Sequence, residues 1–147
     1  MTRKGNLMNK KMFIAGVILM ALALVALAAD AVTGKWTMEQ AGRQGGPARV
    51  TTFDLKADGA KLTGTVTVPG FARGGDTPPA PTATPITNGK VDGNNITFEV
   101  TRDFGGNSMT SKYECAVSGS DMKVKMTMPG FNGGDPRTTE GTAKKAN

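Results

Sequence analysis

Apolar and polar residues alternate with a period of two in segment after segment of this chain, and the segments are separated by glycine-bearing turns. Ile96, Phe98 and Val100 alternate with Thr97, Glu99 and Thr101; Met122, Val124, Met126 and Met128 alternate with Lys123, Lys125 and Thr127. Successive side chains of a strand point to opposite faces, so each segment has one dry face and one wet face. Read along the chain, the pattern predicts about eight strands, within 34–38, 49–57, 61–68, 86–91, 96–103, 108–117, 122–128 and 137–144. Asp58-Gly59, Asp92-Gly93, Gly105-Gly106 and Ser118-Gly119 supply turns, because glycine accepts positive φ at little cost. Asn88-Gly89 predicts a bulge, and 69–84 a long Gly-, Pro- and Thr-rich loop. No helix signal follows Ala29, and no helix-length connection lies between strands, which argues for antiparallel pairing.

A single open sheet would leave its dry face in water and its edges unpaired. The expected fold is therefore all-β: an antiparallel up-and-down meander of about eight strands, closed as a small barrel, with a flattened sandwich as the alternative.

The chain also resembles itself at an offset of 60 residues. Segment 51–76 is matched by segment 111–135: Thr51 to Gly59 by Ser111 to Gly119, then Leu62, Val66 and Val68 by Met122, Met126 and Met128. The loop Pro69-Gly70-Phe71 ending in Gly74-Gly75 is matched by Pro129-Gly130-Phe131 ending in Gly133-Gly134, one residue shorter. Each copy reads strand, turn, strand, glycine-rich loop, and could supply one half of either closed shape.

The front of the chain is of another kind. Arg3, Lys4, Lys10 and Lys11 precede an apolar stretch from Met12 to Ala29, and Ala26-Leu27-Ala28 has the small-x-small form read by signal peptidase. Residues 1–28 are expected to be an export signal, with a retained anchor as the alternative and Ala29-Asp30-Ala31 as a second cleavage pattern. The expected destination is the periplasm or the cell exterior, and residues 29–147 are expected to form one domain. The net charge of +6 includes the four front cations; without them it is +2, scattered along the chain. Nucleic-acid binding needs a concentrated basic surface, and none is visible. Cys115, the one cysteine, is expected to be a small buried residue, the alternative being a covalent link between two copies.

There is no histidine, so the usual general base and commonest metal ligand are missing. Asp54, Glu99 and Glu114 fall on wet faces by alternation, which does not suit a carboxylate pair. Asp58, Asp92, Asp103 and Asp121 sit at or beside turns, where they cap backbone donors. The paired glycines lack the strand–loop–helix context of a phosphate cradle. The chain is therefore expected not to be an enzyme, and no cofactor is expected.

Binding features remain. Met38, Met109, Met122, Met126 and Met128 fall on dry faces. They suit simple core filling, an apolar ligand cavity, or a thioether site for cuprous ion. Phe71 and Phe131 sit in the two Pro-Gly-Phe loops, either as ligand contacts or folded back as lids. Arg43, Arg73 and Arg137 lie near these loops, where they suit an anionic group or a polysaccharide, or simple solvation. The ligand-binding residues expected are Phe71, Arg73, Phe131, Arg137, Met109, Met126 and Met128.

Gly34-x-Trp36, close behind the apolar front, resembles the opening motif of lipocalin-like and avidin-like barrels. That resemblance implies a tryptophan closing the barrel floor. The chain departs from lipocalins in length, in lacking an evident C-terminal helix and in lacking their disulfides. Most of the chain also resembles small secreted bacterial proteins of uncharacterised families. The resemblance is carried by Trp36, Phe53, Lys56, Asp58-Gly59, Leu62 to Val66, Gly89 to Val91, Gly93, Ile96, Phe98 and Val100. It implies no active site.

The function expected is an exported, non-catalytic binding or accessory module. Its partner would be a small apolar molecule in the interior, or a glycan or envelope protein at the Pro-Gly-Phe loops. The alternative is a structural protein of the envelope or matrix.

Overall fold

The computed structural model describes residues 30–70, 77 and 79–147. The expected export signal lies outside them, and so do Phe71 and Arg73. Nine strands are described: β1 (Gly34–Gln40), β2 (Arg49–Asp58), β3 (Lys61–Val68), β4 (Thr82–Pro85), β5 (Thr87–Asp92), β6 (Asn95–Phe104), β7 (Asn107–Ser118), β8 (Asp121–Met128) and β9 (Arg137–Lys145). They form one antiparallel sheet in the order β2-β1-β9-β8-β7-β6-β5-β3-β4, and β2 also pairs with β3. That pairing closes the sheet: eight strands make a barrel and β4 is added to it. The barrel, not the flattened sandwich, is the fold.

Alternation decides what faces inward. Phe53, Val66, Phe98, Val100, Tyr113 and Val124 are each 2 % exposed or less. Phe98 stacks on Tyr113 with ring centroids 4.8 Å apart, and Phe53 meets that pair edge-on from the other side at 6.3 and 6.0 Å. These rings fill the centre, as side chains do in barrels of this size.

Strand β9 has no evident apolar face in sequence, and the packing explains this. Gly141 and Ala143 face inward, and a Cβ on Gly141 would strike the thioether of Met38 from β1. Small residues on β9 make room for the large ones beside them.

Two features differ from the sequence expectation. β4 takes up the end of the segment read as loop and runs one residue past it, to Pro85. It pairs with the loop-side half of β3, Thr82 opposite Val68 and Pro85 opposite Thr65, whereas the β3–β5 ladder has one paired position, Lys61 with Lys90. Ile86 joins β4 to β5 and donates its N–H to the Gly64 carbonyl at 3.0 Å. The missed strand is Thr- and Pro-rich, and its pairing comes from a neighbour rather than from its own alternation. The second difference is a helical turn at residues 30–32. The expected bulge is present: the β5–β6 register shifts between Thr87 and Lys90, and Asn88 has φ 51°.

The two similar segments place the β2–β3 and β7–β8 hairpins four strands apart around the ring, on opposite walls. Phe53→Ala should cost about 3–5 kcal/mol through the cavity it leaves between β2 and the Phe98–Tyr113 stack. Urea denaturation of the variant and the parent measures this; a loss under about 1 kcal/mol would mean the centre is not the packed unit described.

Candidate functional site

The two ends of the barrel differ in construction. At one end, tight turns join β2 to β3, β5 to β6 and β7 to β8, with Gly59, Gly93 and Gly119 at φ near +60°. This end is plugged. Val32 and Trp36 are fully buried, and the Trp36 indole N–H donates to the Val32 carbonyl at 3.0 Å. Thr33 Oγ1 accepts from the Ala57 N–H at 3.0 Å, tying the segment before β1 to β2. Lys145 Nζ stands 5.4 Å from the Trp36 ring centroid and donates to the carbonyls of Asp30 and Ala31.

The other end carries the longer connections, β1 to β2, β3 to β4 and β8 to β9, together with the short Gly105-Gly106 turn. Residues 42–46 and 130–134 share one backbone form. Each contains a 3-10 turn whose middle residue is left-handed, Gln44 at φ 55°, ψ 39° and Asn132 at φ 53°, ψ 39°. Each begins with a glycine, Gly42 or Gly130, whose Cβ would collide with the carbonyl oxygen of Gly46 or Gly134. Sequence comparison had matched the Phe131 loop with the Phe71 loop. The likeness to residues 42–46 was missed because the Pro and Phe are absent there, although the Gly-x-x-Gly-Gly spacing is kept.

The loop-bearing end gathers several of the expected residues. Phe131 is 68 % exposed, so it points to solvent and is not folded back as a lid. Arg137 is exposed and pairs with Met128 across the β8–β9 ladder, while Met126 pairs with Tyr113. Met109, Met126 and Met128 are half-buried on the inner face, in contrast to Met38 and Met122, which are deep in the core. The methionines thus divide into core filler and a loop-end lining.

Arg102 was not singled out by sequence. It follows Val100 by two residues, so it shares the inner face, and it pairs with Met109. Its guanidinium stands beside the Tyr113 hydroxyl and interacts with it, while its Nη2 is shielded from solvent with no hydrogen-bond partner among the described residues. Burial pushes the Tyr113 hydroxyl above its ordinary pKa, and the Arg102 charge partly opposes that. The overlooked signal was an Arg in a position whose strand neighbours, Phe98 and Val100, are inward and apolar.

Asp54 and Glu114 are exposed on the outer wall and Glu99 is half-buried there, where it accepts from Asn88 Nδ2 at 2.7 Å. Glu114 lies 3.9 Å from Lys125 on the neighbouring strand. Their outer wall also has a shallow concavity of about 710 Å³, lined by Thr97, Glu114, Lys123, Lys125, Glu140 and Thr142 among others. Opposite charges facing each other across strands account for this composition without a ligand.

Cys115 is 4 % exposed on the inner face, and burial pushes its thiol up to about 12 from an ordinary 9.0. The folded chain therefore holds this proton where the unfolded chain has released it, so the stability it contributes is intact below pH 9 and is lost as pH climbs towards 12. Between pH 8 and 10.5 the urea midpoint of the parent should fall more steeply than that of Cys115→Ala. Tyr113 adds a decline common to both chains, so equal slopes would rule out the thiol's part.

No family model, curated protein or solved structure matches this chain, so its function is read from its own residues.

Proposed function

We propose that this chain is an exported, non-catalytic binding module that takes its ligand at the loop-bearing end of the barrel. One observation carries this reading. Among the described residues, the exposed large hydrophobics are Val50, Phe104 and Phe131, at 43, 47 and 68 %, and all three belong to that end. Val50 lies at the start of β2, Phe104 ends β6, and Phe131 is in the β8–β9 loop. Exposed aromatic side chains on conformationally defined loops give contact area at little entropic cost. The packed aromatic centre favours this surface over a deep apolar cavity as the place of binding.

The packed centre also favours a second reading, a structural protein of the envelope or matrix in which the same apolar end joins copies. The two separate in solution. In 15N NMR, anilinonaphthalene sulfonate should shift Val50, Phe104, Met128 and Phe131 and leave Gly59, Gly93 and Gly119 unmoved. A Val50→Ser, Phe104→Ser, Phe131→Ser variant should weaken binding about tenfold or more while its circular dichroism is unchanged. Shifts confined to the plugged end or the outer wall would defeat the binding reading. Dimerisation in the low-micromolar range, lost in that variant, would favour the structural one.

Export is part of the proposal, and the plugged end bears on where the signal would be cut. Cleavage after Ala28 keeps Asp30 and Ala31, whose carbonyls accept from Lys145. Cleavage after Ala31 would put a new ammonium on Val32, which is fully buried, and burying an unpaired charge is costly. Intact mass of the protein recovered from secretion should therefore give a chain beginning at Ala29. A start at Val32 would show that the plugged end tolerates an ammonium there, against this reading, and an unprocessed mass would support the retained anchor.

A further inference from the structure

The charges on the strands are sorted by face. The strand carboxylates, on Glu39, Asp54, Asp58, Asp92, Glu99, Asp103, Glu114, Asp121 and Glu140, all occupy outward positions in the alternation. Three inward positions towards the loops hold cations: Arg49 opposite Gln40, Arg102 opposite Met109, and Arg137 opposite Met128. Arg49 has interactions of its own. Arg102 is the informative one: its guanidinium stands beside the Tyr113 hydroxyl, but its Nη2, shielded from solvent, has no hydrogen-bond partner among the described residues. A guanidinium without an anion on a half-buried inner face costs stability, and a buried donor left unmade costs more than the same donor in water.

Half-buried apolar groups lie on the same loop-side stretch of the inner face as Arg102. Met109, Met126, Met128 and Val68 share the inner face with it, and Ser111 and Tyr113 add hydroxyls. The centre below is closed by the Phe53, Phe98 and Tyr113 rings. A molecule entering here can seat an acidic head among the arginine and hydroxyls, with its apolar body lying across the methionines towards Phe131.

From this juxtaposition we propose that the barrel mouth is a receptor for an oxyanion, a carboxylate or phosphate borne on an apolar body, with Arg102 as the group that reads its charge. This deepens the loop-end reading and rests on it. The strand carboxylates all face outward, so none of them is placed to serve Arg102, and a bound oxyanion would supply the acceptor that its Nη2 lacks among the described residues.

The test uses four probes of equal chain length: octanoate, octyl phosphate, octanol and octylammonium. Each is titrated into the 15N-labelled protein, following the amides of Met109, Met128 and Phe131 and the Arg102 Nε–Hε resonance. A charge-assisted hydrogen bond predicts that one or both anions bind roughly tenfold to a hundredfold more tightly than octanol, and octylammonium least. Whichever anion is preferred assigns the head group. Arg102→Met should erase that preference. It should also raise the urea midpoint, since a thioether of similar length removes the shielded Nη2 donor that has no acceptor among the described residues. Octanol binding at the same residues as tightly as the anions would sink the oxyanion proposal and leave loop-end binding intact. Shifts only elsewhere, or none, would sink both. An Arg102→Met chain that keeps the anion preference, or that loses stability, would make Arg102 a structural brace of Tyr113 instead.

Discussion

Closure of the backbone ladder is the condition on which this molecule stands. β1 meets β9 through Trp36, Thr37 and Met38, and β2 meets β3 along its length, so the barrel strands have neighbours on both sides. Without that closure the inner positions from Phe53 to Val124 would be one face of an open sheet in water. The steric terms of closure are met by small residues. Gly64 and Gly89 lie where a Cβ would strike the carbonyls of Asp54 and Leu62, and Gly141 yields its space to Met38. A barrel this small has room for rings at its centre only because its walls are thin at such points.

From the closed ladder follows a gradient along the axis. The plugged end is dry: Val32, Trp36, Leu55, Leu62 and Met122 are all 2 % exposed or less. Towards the loops the same inward alternation continues, but its residues become half-buried or exposed, with Arg49, Arg102 and Arg137 among them. The strands extend past the point where opposite walls can fill the centre, and the side chains there are shared between protein and solvent. A group that is partly desolvated yet without a partner gains most from acquiring one.

The fold was legible because its main determinant, alternation with period two, is a local property. Ile96, Phe98 and Val100 declare their faces without reference to anything else. β4 was not legible, because Thr82 to Pro85 have no dry face of their own and are strands only by virtue of β3. The same holds at the site. Phe131 and Arg137 could be named from a loop motif. Arg102 could not be singled out from sequence, since its place beside the Tyr113 hydroxyl, with Nη2 shielded and without a partner among the described residues, depends on every residue that folding brings near.

The chain by itself determined the strand rhythm, the turns with their glycines, the inward placement of the aromatic and methionine side chains, and hence an all-β barrel. These depend on backbone sterics and side-chain order, which act between near neighbours. Only the tertiary structure decided which end is plugged and which is open, and that Arg49, Arg102 and Arg137 stand on one inner rim. It also decided that Phe131 faces solvent. Those facts arise from residues far apart in sequence meeting in space, and local alternation carries no information about which strand will lie opposite which.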